Sequence, residues 1–231
     1  MISVIVPVLN EAGNIKSLVP KVFKTLGENT EVLLVDGHST DGTYALVREL
    51  AKAHKKLKII QQPGKGFADA LIFGLKKASG DVVITMDAEN HMPSEIPLLI
   101  DELQSKRLDA VVGSRFLKGS SVKLQKKRFI QTRIANKIAR AAMNLNVKDC
   151  SSGFRAYRAK TVKKILDDIE TEYFSVQVEL LERISGVGGR LGEIPVHYLR
   201  RERGESKFNL TYAIKDATKL LKKRVRRKRP K

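Results

Sequence analysis

The sequence is short of several things at once. Its 231 residues include one cysteine, Cys150, and no tryptophan. A single cysteine excludes an intramolecular disulfide and a cysteine-based zinc site, and it suits a reducing compartment. Eight phenylalanines and five tyrosines leave few stacking surfaces. No RNA- or DNA-binding signature accompanies them, which argues against a specific nucleic-acid partner. No run approaches the ~18 apolar residues of a membrane span, and Met1-Ile2-Ser3-Val4 does not open a signal peptide. Acids are scarce: 25 Asp and Glu stand against 44 Lys and Arg, for a net charge of +19. The 42% of hydrophobic residues still allow a substantial core, so the chain is neither disordered nor fibrous. A protein this cationic attracts polyanions: nucleic acid, phosphorylated substrates or an anionic membrane face.

The charge is uneven. Residues 115–148 hold ten Lys and Arg and no acid, and eight of the last ten residues are basic. The acids of the first half lie mostly in residues 28–49 and 81–102, near expected strand ends. The first half is therefore suited to cations, the middle and the tail to anions.

Short β-branched runs occur at Ile2–Pro7, Glu31–Asp36, Lys58–Gln61, Asp81–Asp87 and Asp109–Ser114. Runs apolar on both faces predict buried parallel strands. Helical patterns separate them at Asn14–Leu26, Thr43–Ala53, Phe67–Ala78 and Pro93–Gln104. This alternation predicts an α/β fold, a mostly parallel central sheet with helices on both faces, whose ligands bind beyond the carboxyl ends of the strands. Farther on, 122–147 reads as a basic amphipathic helix with Ile130, Ile134, Ile138, Ala141 and Leu145 on one stripe. Cys150–Arg158 reads as a loop, Asp167–Ser185 as a helix and Gly192–Leu199 as a strand. A second apolar stripe runs through 209–221, and the last ten residues read as a disordered basic tail.

Met86-Asp87-Ala88-Glu89-Asn90-His91 sits where the fourth strand stops. Two carboxylates at i and i+2 across a turn can share one ligand, and with phosphate oxygens they suit Mg²⁺ or Mn²⁺. Pro7-Val-Leu-Asn-Glu11 ends the first strand, and Val35-Asp-Gly-His-Ser-Thr-Asp-Gly-Thr43 ends the second. With these three elements in this order, the sequence resembles the family 2 glycosyltransferases, which have the GT-A nucleotide-sugar fold. The resemblance implies donor contacts from Pro7, Leu9, Glu11, Val35, Asp36, Gly37, Asp87, Ala88, Glu89 and His91. It implies metal binding by Asp87 and Glu89, and Lys65 comes into reach of the donor. Gly37 stands where the family often has a second Asp, Leu9 where it often has Tyr, and Glu89 where it has the second Asp of its metal cluster.

Val112-Gly-Ser-Arg-Phe116, Arg128-Phe-Ile-Gln-Thr-Arg133, Ser151-Ser-Gly-Phe-Arg-Ala-Tyr157 and Arg203-Gly-Glu-Ser-Lys207 extend the likeness. They resemble the polyprenyl-phosphate sugar transferases, dolichol-phosphate mannose synthases among them. That implies one glycosyltransferase domain over 1–221, with a nucleotide-sugar half at 1–115 and an acceptor half at 116–221, before the tail at 222–231. It gives Arg115, Arg128, Thr132 and Ser206 to the acceptor phosphate, and Arg201 and Lys207 to the donor. Arg115 also joins Asp87 and Glu89 as catalytic. The donor is GDP-mannose by first preference and UDP-glucose by second; the acceptor is a polyprenyl or dolichyl phosphate. Without a span, the chain is expected as a peripheral enzyme on the cytoplasmic face. Helices 122–147 and 209–221 and the basic tail would meet the anionic membrane surface, and a membrane-spanning partner subunit stays open. A soluble hydroxyl acceptor would instead need a carboxylate base, for which Asp149 and Glu179 are the candidates.

Overall fold

The computed structural model describes residues 1–171 and 175–199. The strands form where two-sided apolar runs predict them: β1 (Ile2–Val8), β2 (Glu31–Asp36), β3 (Leu57–Gln61), β4 (Val82–Thr85) and β5 (Ala110–Ser114). Helices α1 (Ala12–Leu26), α2 (Thr43–Leu50), α3 (Phe67–Lys77) and α4 (Ile96–Ser105) link them, the last after a 3₁₀ turn at Pro93–Glu95. Successive strand residues enter opposite layers. Val4, Val6 and Val8 pack with Ile15, Val19 and Leu99 from α1 and α4, whereas Ile5, Leu33 and Val35 pack with Leu71 and Leu75 of α3. Helix α3 comes so close to the sheet that a β-carbon at Gly74 would lie 2.5 Å from Ile5 Cγ2. Only glycine permits that approach.

The second half departs from its sequence reading. Beyond β6 (Ser121–Val122), helix α5 covers Lys126–Met143, and Asn144 ends it in the left-handed conformation. The expected loop at 150–158 contains strand β7 (Arg155–Arg158), which runs antiparallel between β4 and β5. Arg-Ala-Tyr-Arg carries no apolar run, because its buried Arg155 and half-buried Arg158 are held by carbonyls instead of hydrocarbon. Arg155 donates to the carbonyls of Cys150, Ser152 and Gln177, and Arg158 to that of Leu108. After α6 (Ala159–Lys163), the expected helix 167–185 contracts to a 3₁₀ turn at Leu166–Asp168 and α7 (Val176–Gly186). The Glu179 carboxylate of α7 accepts the main-chain N–H groups of Glu170 and Thr171, which holds this non-helical stretch against the helix. The expected strand 192–199 splits into β8 (Leu191–Pro195), beside β5, and β9 (His197–Tyr198), beside β6.

The main sheet has the order β3-β2-β1-β4-β7-β5-β8, parallel except for β7. The strand order reverses between β1 and β4. Crevices open beyond the carboxyl ends of the strands at such a switch point. Leu9 follows β1 and Asp87 follows β4, so the two segments flank this point. Because β7 is antiparallel, the loop that feeds it, 149–154, arrives at this same edge. Arg201, Ser206, Lys207, the stripe at 209–221 and the tail at 222–231 lie outside the described residues. No helix among the described residues is long and apolar enough to cross a membrane.

Candidate active site

The first wall of the crevice is built by motif residues that bind one another. Asn10 adopts a positive φ of 59°, a conformation that Asn tolerates better than most residues. Its side-chain Oδ1 accepts from Thr40 N at 2.8 Å, and its main-chain N–H donates to Ser39 Oγ at 2.9 Å. Asp41 accepts from Ala12 N and Thr43 N, each at 3.0 Å, and Thr43 Oγ1 accepts from Glu11 N. The two loops are thus zipped together by their own polar residues. Pro7, Leu9, Glu11 and Gly37 lie at or just beyond the ends of β1 and β2. Two predicted donor residues arrive with their side chains engaged elsewhere. Val35 is wholly buried in the core. Asp36 is also buried, and its carboxylate accepts the N–H of Ser39, so it shapes the turn. Lys65 is exposed in a loop that Asp69 steadies by accepting Gly64 N.

The second wall is the loop after β4. Asp87 N–H donates to His91 Nδ1 at 2.9 Å, so the imidazole proton sits on Nε2, which faces Asp87 Oδ2 at 3.8 Å. His91 is 4% exposed and stacks on Phe154, with Tyr198 at its edge. Burial lowers its pKa, against the opposing pull of Asp87. The predicted donor residue is therefore a neutral prop beneath the carboxylate. Asp87 keeps 36% of its side chain exposed, while both Glu89 oxygens are shielded from solvent. Ala88 is buried between them. Among the described residues no group of three or more His, Cys, Asp and Glu gathers to hold a metal ion. Asp87 and Glu89 offer hard oxygen donors and suit Mg²⁺ or Mn²⁺ as a half-built site, with diphosphate oxygens completing the ligand set.

Facing the acids is a cationic ledge. Arg115, at the end of β5, donates from Nε to Asp149 Oδ2 at 2.7 Å and from Nη2 to Asp149 Oδ1 and Ser151 Oγ at 2.8 Å. Burial disfavours the charge of Asp149, yet the Arg115 guanidinium holds its carboxyl below the usual carboxylate range. On α5, Arg128, Thr132 and Asn136 follow at four-residue spacing and share one face. Thr132 Oγ1 donates to the Arg128 carbonyl, and Asn136 Nδ2 to Ser151 Oγ. Asn136 Oδ1 accepts Ser151 N and the Cys150 thiol, so Cys150 is a buried structural residue. Two positions along a helix are about 200° apart. Ile130, Ile134 and Ile138 accordingly turn outward, each more than half exposed, whereas Leu145 of the same expected stripe is buried.

Between α5 and the segment before it opens a groove of about 400 Å³. Phe116, Leu117, Val122, Leu124 and Phe129 line it together with Arg115, Lys126 and Arg133.

Tyr198 joins the two walls. Its ring lies 5.3 Å beneath the Arg115 guanidinium. Burial and the nearby charge of Asp87 push its phenol up to about 12, against Arg115 and Arg128. Nothing in the sequence marks Tyr198: it is one aromatic in a short polar run, placed only by the pairing of β9 with β6 and of Leu199 with Asn90.

The Glycosyl transferase family 2 profile matches residues 3–166. The chain belongs to that family. Among curated relatives it is similar to the dolichol-phosphate mannosyltransferase of Pyrococcus furiosus, 34% identical over 90% of this chain and 59% of that one. The chain thus spans under two thirds of the Pyrococcus protein. It is 31% identical to the undecaprenyl-phosphate mannosyltransferase of Micrococcus luteus, over 89% of this chain and 86% of the other. The polyprenol monophosphomannose synthase of Mycolicibacterium smegmatis is 30% identical over 89% and 80%. Among solved structures, the fold resembles glucosyl-3-phosphoglycerate synthase of Mycobacterium tuberculosis in complex with Mn²⁺, UDP and phosphoglyceric acid. The TM-score is 0.72 at 19% identity, over 100% of this chain and 80% of that one. The family 2 chain described here thus has the GT-A fold.

Proposed function

We propose that this chain transfers a hexose, mannose by preference, from a nucleotide sugar to a polyprenyl or dolichyl monophosphate, with inversion at the anomeric carbon. One observation carries the proposal: the acids Asp87 and Glu89 and the cations Arg115 and Arg128 all act on Tyr198, and Arg115 also lines a groove in which aromatic and aliphatic side chains mix with basic ones. A lipid phosphate has that same two-part character.

The chemistry needs no general base. A phosphate monoester already carries a nucleophilic oxygen near pH 7. Its oxygen forms the new bond to the anomeric carbon, the bond to the nucleotide diphosphate breaks, and the electron pair leaves on the diphosphate. Asp87 and Glu89 would hold the divalent ion, Mg²⁺ or Mn²⁺, which when bound neutralises charge on the departing diphosphate. Arg115 is held in place by Asp149 and keeps its charge, so it stabilises phosphate without reorganising. The named relatives support a mannosyl donor, and the solved complexes of the structural neighbour support a divalent ion in this fold.

A hydroxyl acceptor fits less well. Of its two candidate bases, Asp149 is committed to Arg115 and to the main chain of Ser152. Glu179 is committed to the 170–171 turn and Arg183.

The outward isoleucines of α5 and the basic residues beside them support a peripheral position on an anionic, cytoplasm-facing membrane surface. The test is transfer of labelled hexose from GDP-mannose and from UDP-glucose, with Mn²⁺ or Mg²⁺, to polyprenyl phosphate in detergent. Labelled lipid from a phosphorylated but not an unphosphorylated polyprenol is expected. Labelling of a free sugar with no labelled lipid would overturn the proposal.

A further inference from the structure

Arg115 and Arg128 belong to different elements. Arg115 follows β5, whereas Arg128 rides on α5, so a phosphate that meets both needs the helix held in one place on the body. Packing holds α5 mainly toward its C-terminal end, where Met143 is buried and Ala139 and Ala142 lie against the core. Ahead of them Asn136 is 2% exposed, and no residue of α5 before it is buried. The Phe129 ring does touch Phe116, with 5.5 Å between centroids, but a contact of two apolar rings leaves the register of the helix loose. Arg128 lies two helical turns, about 12 Å, ahead of Asn136.

Asn136 uses every hydrogen-bonding position it has. Nδ2 donates to the Thr132 carbonyl at 2.9 Å and to Ser151 Oγ at 2.8 Å, while Oδ1 accepts Ser151 N at 3.1 Å and the Cys150 thiol at 3.2 Å. A side-chain amide has two protons to give and two lone pairs to fill, so nothing is left over. Ser151 Oγ is filled in the same way. It accepts Arg115 Nη2 and Asn136 Nδ2, both at 2.8 Å, and its proton reaches Asp149 Oδ1 at 3.3 Å. One hydroxyl therefore joins the guanidinium of Arg115 to the helix of Arg128. Asn is a poorer helix former than Leu, and a leucine here would bury more hydrocarbon. What the amide adds is direction, because a fully satisfied buried network admits one arrangement. We propose that Asn136 is a positioning residue: through Ser151 its amide locks α5 against the 149–151 loop and so presents Arg115 and Arg128 as one phosphate site. The assignment rests on the acceptor reading above.

The test separates the acceptor phosphate from the nucleotide. Binding of farnesyl phosphate, and separately of GDP with Mn²⁺, is measured by calorimetry on the full chain as wild type, N136L, S151A and the double variant, each shown to be folded by its melting transition. N136L should weaken farnesyl phosphate about fivefold to tenfold, the worth of one hydrogen bond, and leave GDP unchanged. S151A breaks the same link from its other end, so the double variant should lose no more than the larger single loss. Should N136L fail to fold, N136A, which leaves room for a water on Ser151, is read the same way. A folded variant that keeps its full affinity for farnesyl phosphate overturns the assignment. So does an equal loss for GDP, which would mark a general loosening of the fold, and so do losses that simply add in the double variant. If the wild-type chain binds GDP but not farnesyl phosphate, the acceptor reading falls, and the assignment of Asn136 falls with it.

Discussion

Arg115 and Asp149 meet in a two-pronged ion pair, Nε to Oδ2 at 2.7 Å and Nη2 to Oδ1 at 2.8 Å, with the Arg115 N–H on the same carboxylate at 3.0 Å. The pair joins the end of β5 to the loop feeding β7. Asp149 is fully buried and Arg115 nearly so. Removing one partner strands a charge. D149L alone should cost about 3–5 kcal/mol of stability, while a double R115M/D149L variant should recover much of it. Urea unfolding of the four proteins of this cycle measures the coupling. The double variant should fold and yet fail to transfer sugar to the lipid phosphate.

Loss of the acids should separate binding from folding. Asp87 is partly exposed and its carboxylate is not part of the packing core, so D87N should unfold near the wild-type temperature. The thermal shift produced by GDP-mannose with Mn²⁺ should disappear in D87N and shrink in E89Q. Ligand-induced shifts report this directly, because a bound ligand stabilises by mass action.

His91 gives a pH dependence of definite sign. Its folded pKa is lowered from 6.5 by burial, so the unfolded chain takes up the proton first as pH falls. The stability tied to neutral His91 is fully present above about pH 6.5 and is lost as pH falls toward the lower folded value. Melting temperatures of wild type and H91N should therefore differ most at pH 7.5 and converge toward pH 5. A difference that widens on acidification would reverse the assignment of a neutral imidazole.

The outward face of α5 should matter to lipid and not to fold. Ile130, Ile134 and Ile138 are each more than half exposed. I130E/I134E/I138E should leave the melting temperature within a few degrees, since surface changes are usually within about 0.5 kcal/mol each. Sedimentation with anionic vesicles should fall at least several-fold, and transfer to short water-soluble isoprenyl phosphates should persist.

Much of the donor half was legible because its signals are local. A strand buried on both faces must be apolar along its length, so β1, β2, β4 and β5 stand out in Ile2–Pro7, Glu31–Asp36, Asp81–Asp87 and Asp109–Ser114, and Asp87 and Glu89 follow directly from where a strand ends. The same rule failed for β7. Arg155 and Arg158 are satisfied by carbonyls that only the folded chain brings to them, so the strand has no apolar pattern to find. The helix read over 167–185 begins only at Val176, with Glu179 turned back to accept the N–H groups of Glu170 and Thr171, and His91 Nδ1 is taken up by Asp87 N–H.

The sequence by itself determined the alternating α/β layers, the acidic end of β4, the acid-free stretch at 115–148 and the family. Tertiary structure alone decided that Asp149 pairs with Arg115 and that Tyr198 lies between the two walls. The reason is physical. Periodicity and strand ends are written in neighbouring residues, whereas the role of a charge or an amide depends on which distant group folding sets within hydrogen-bond reach.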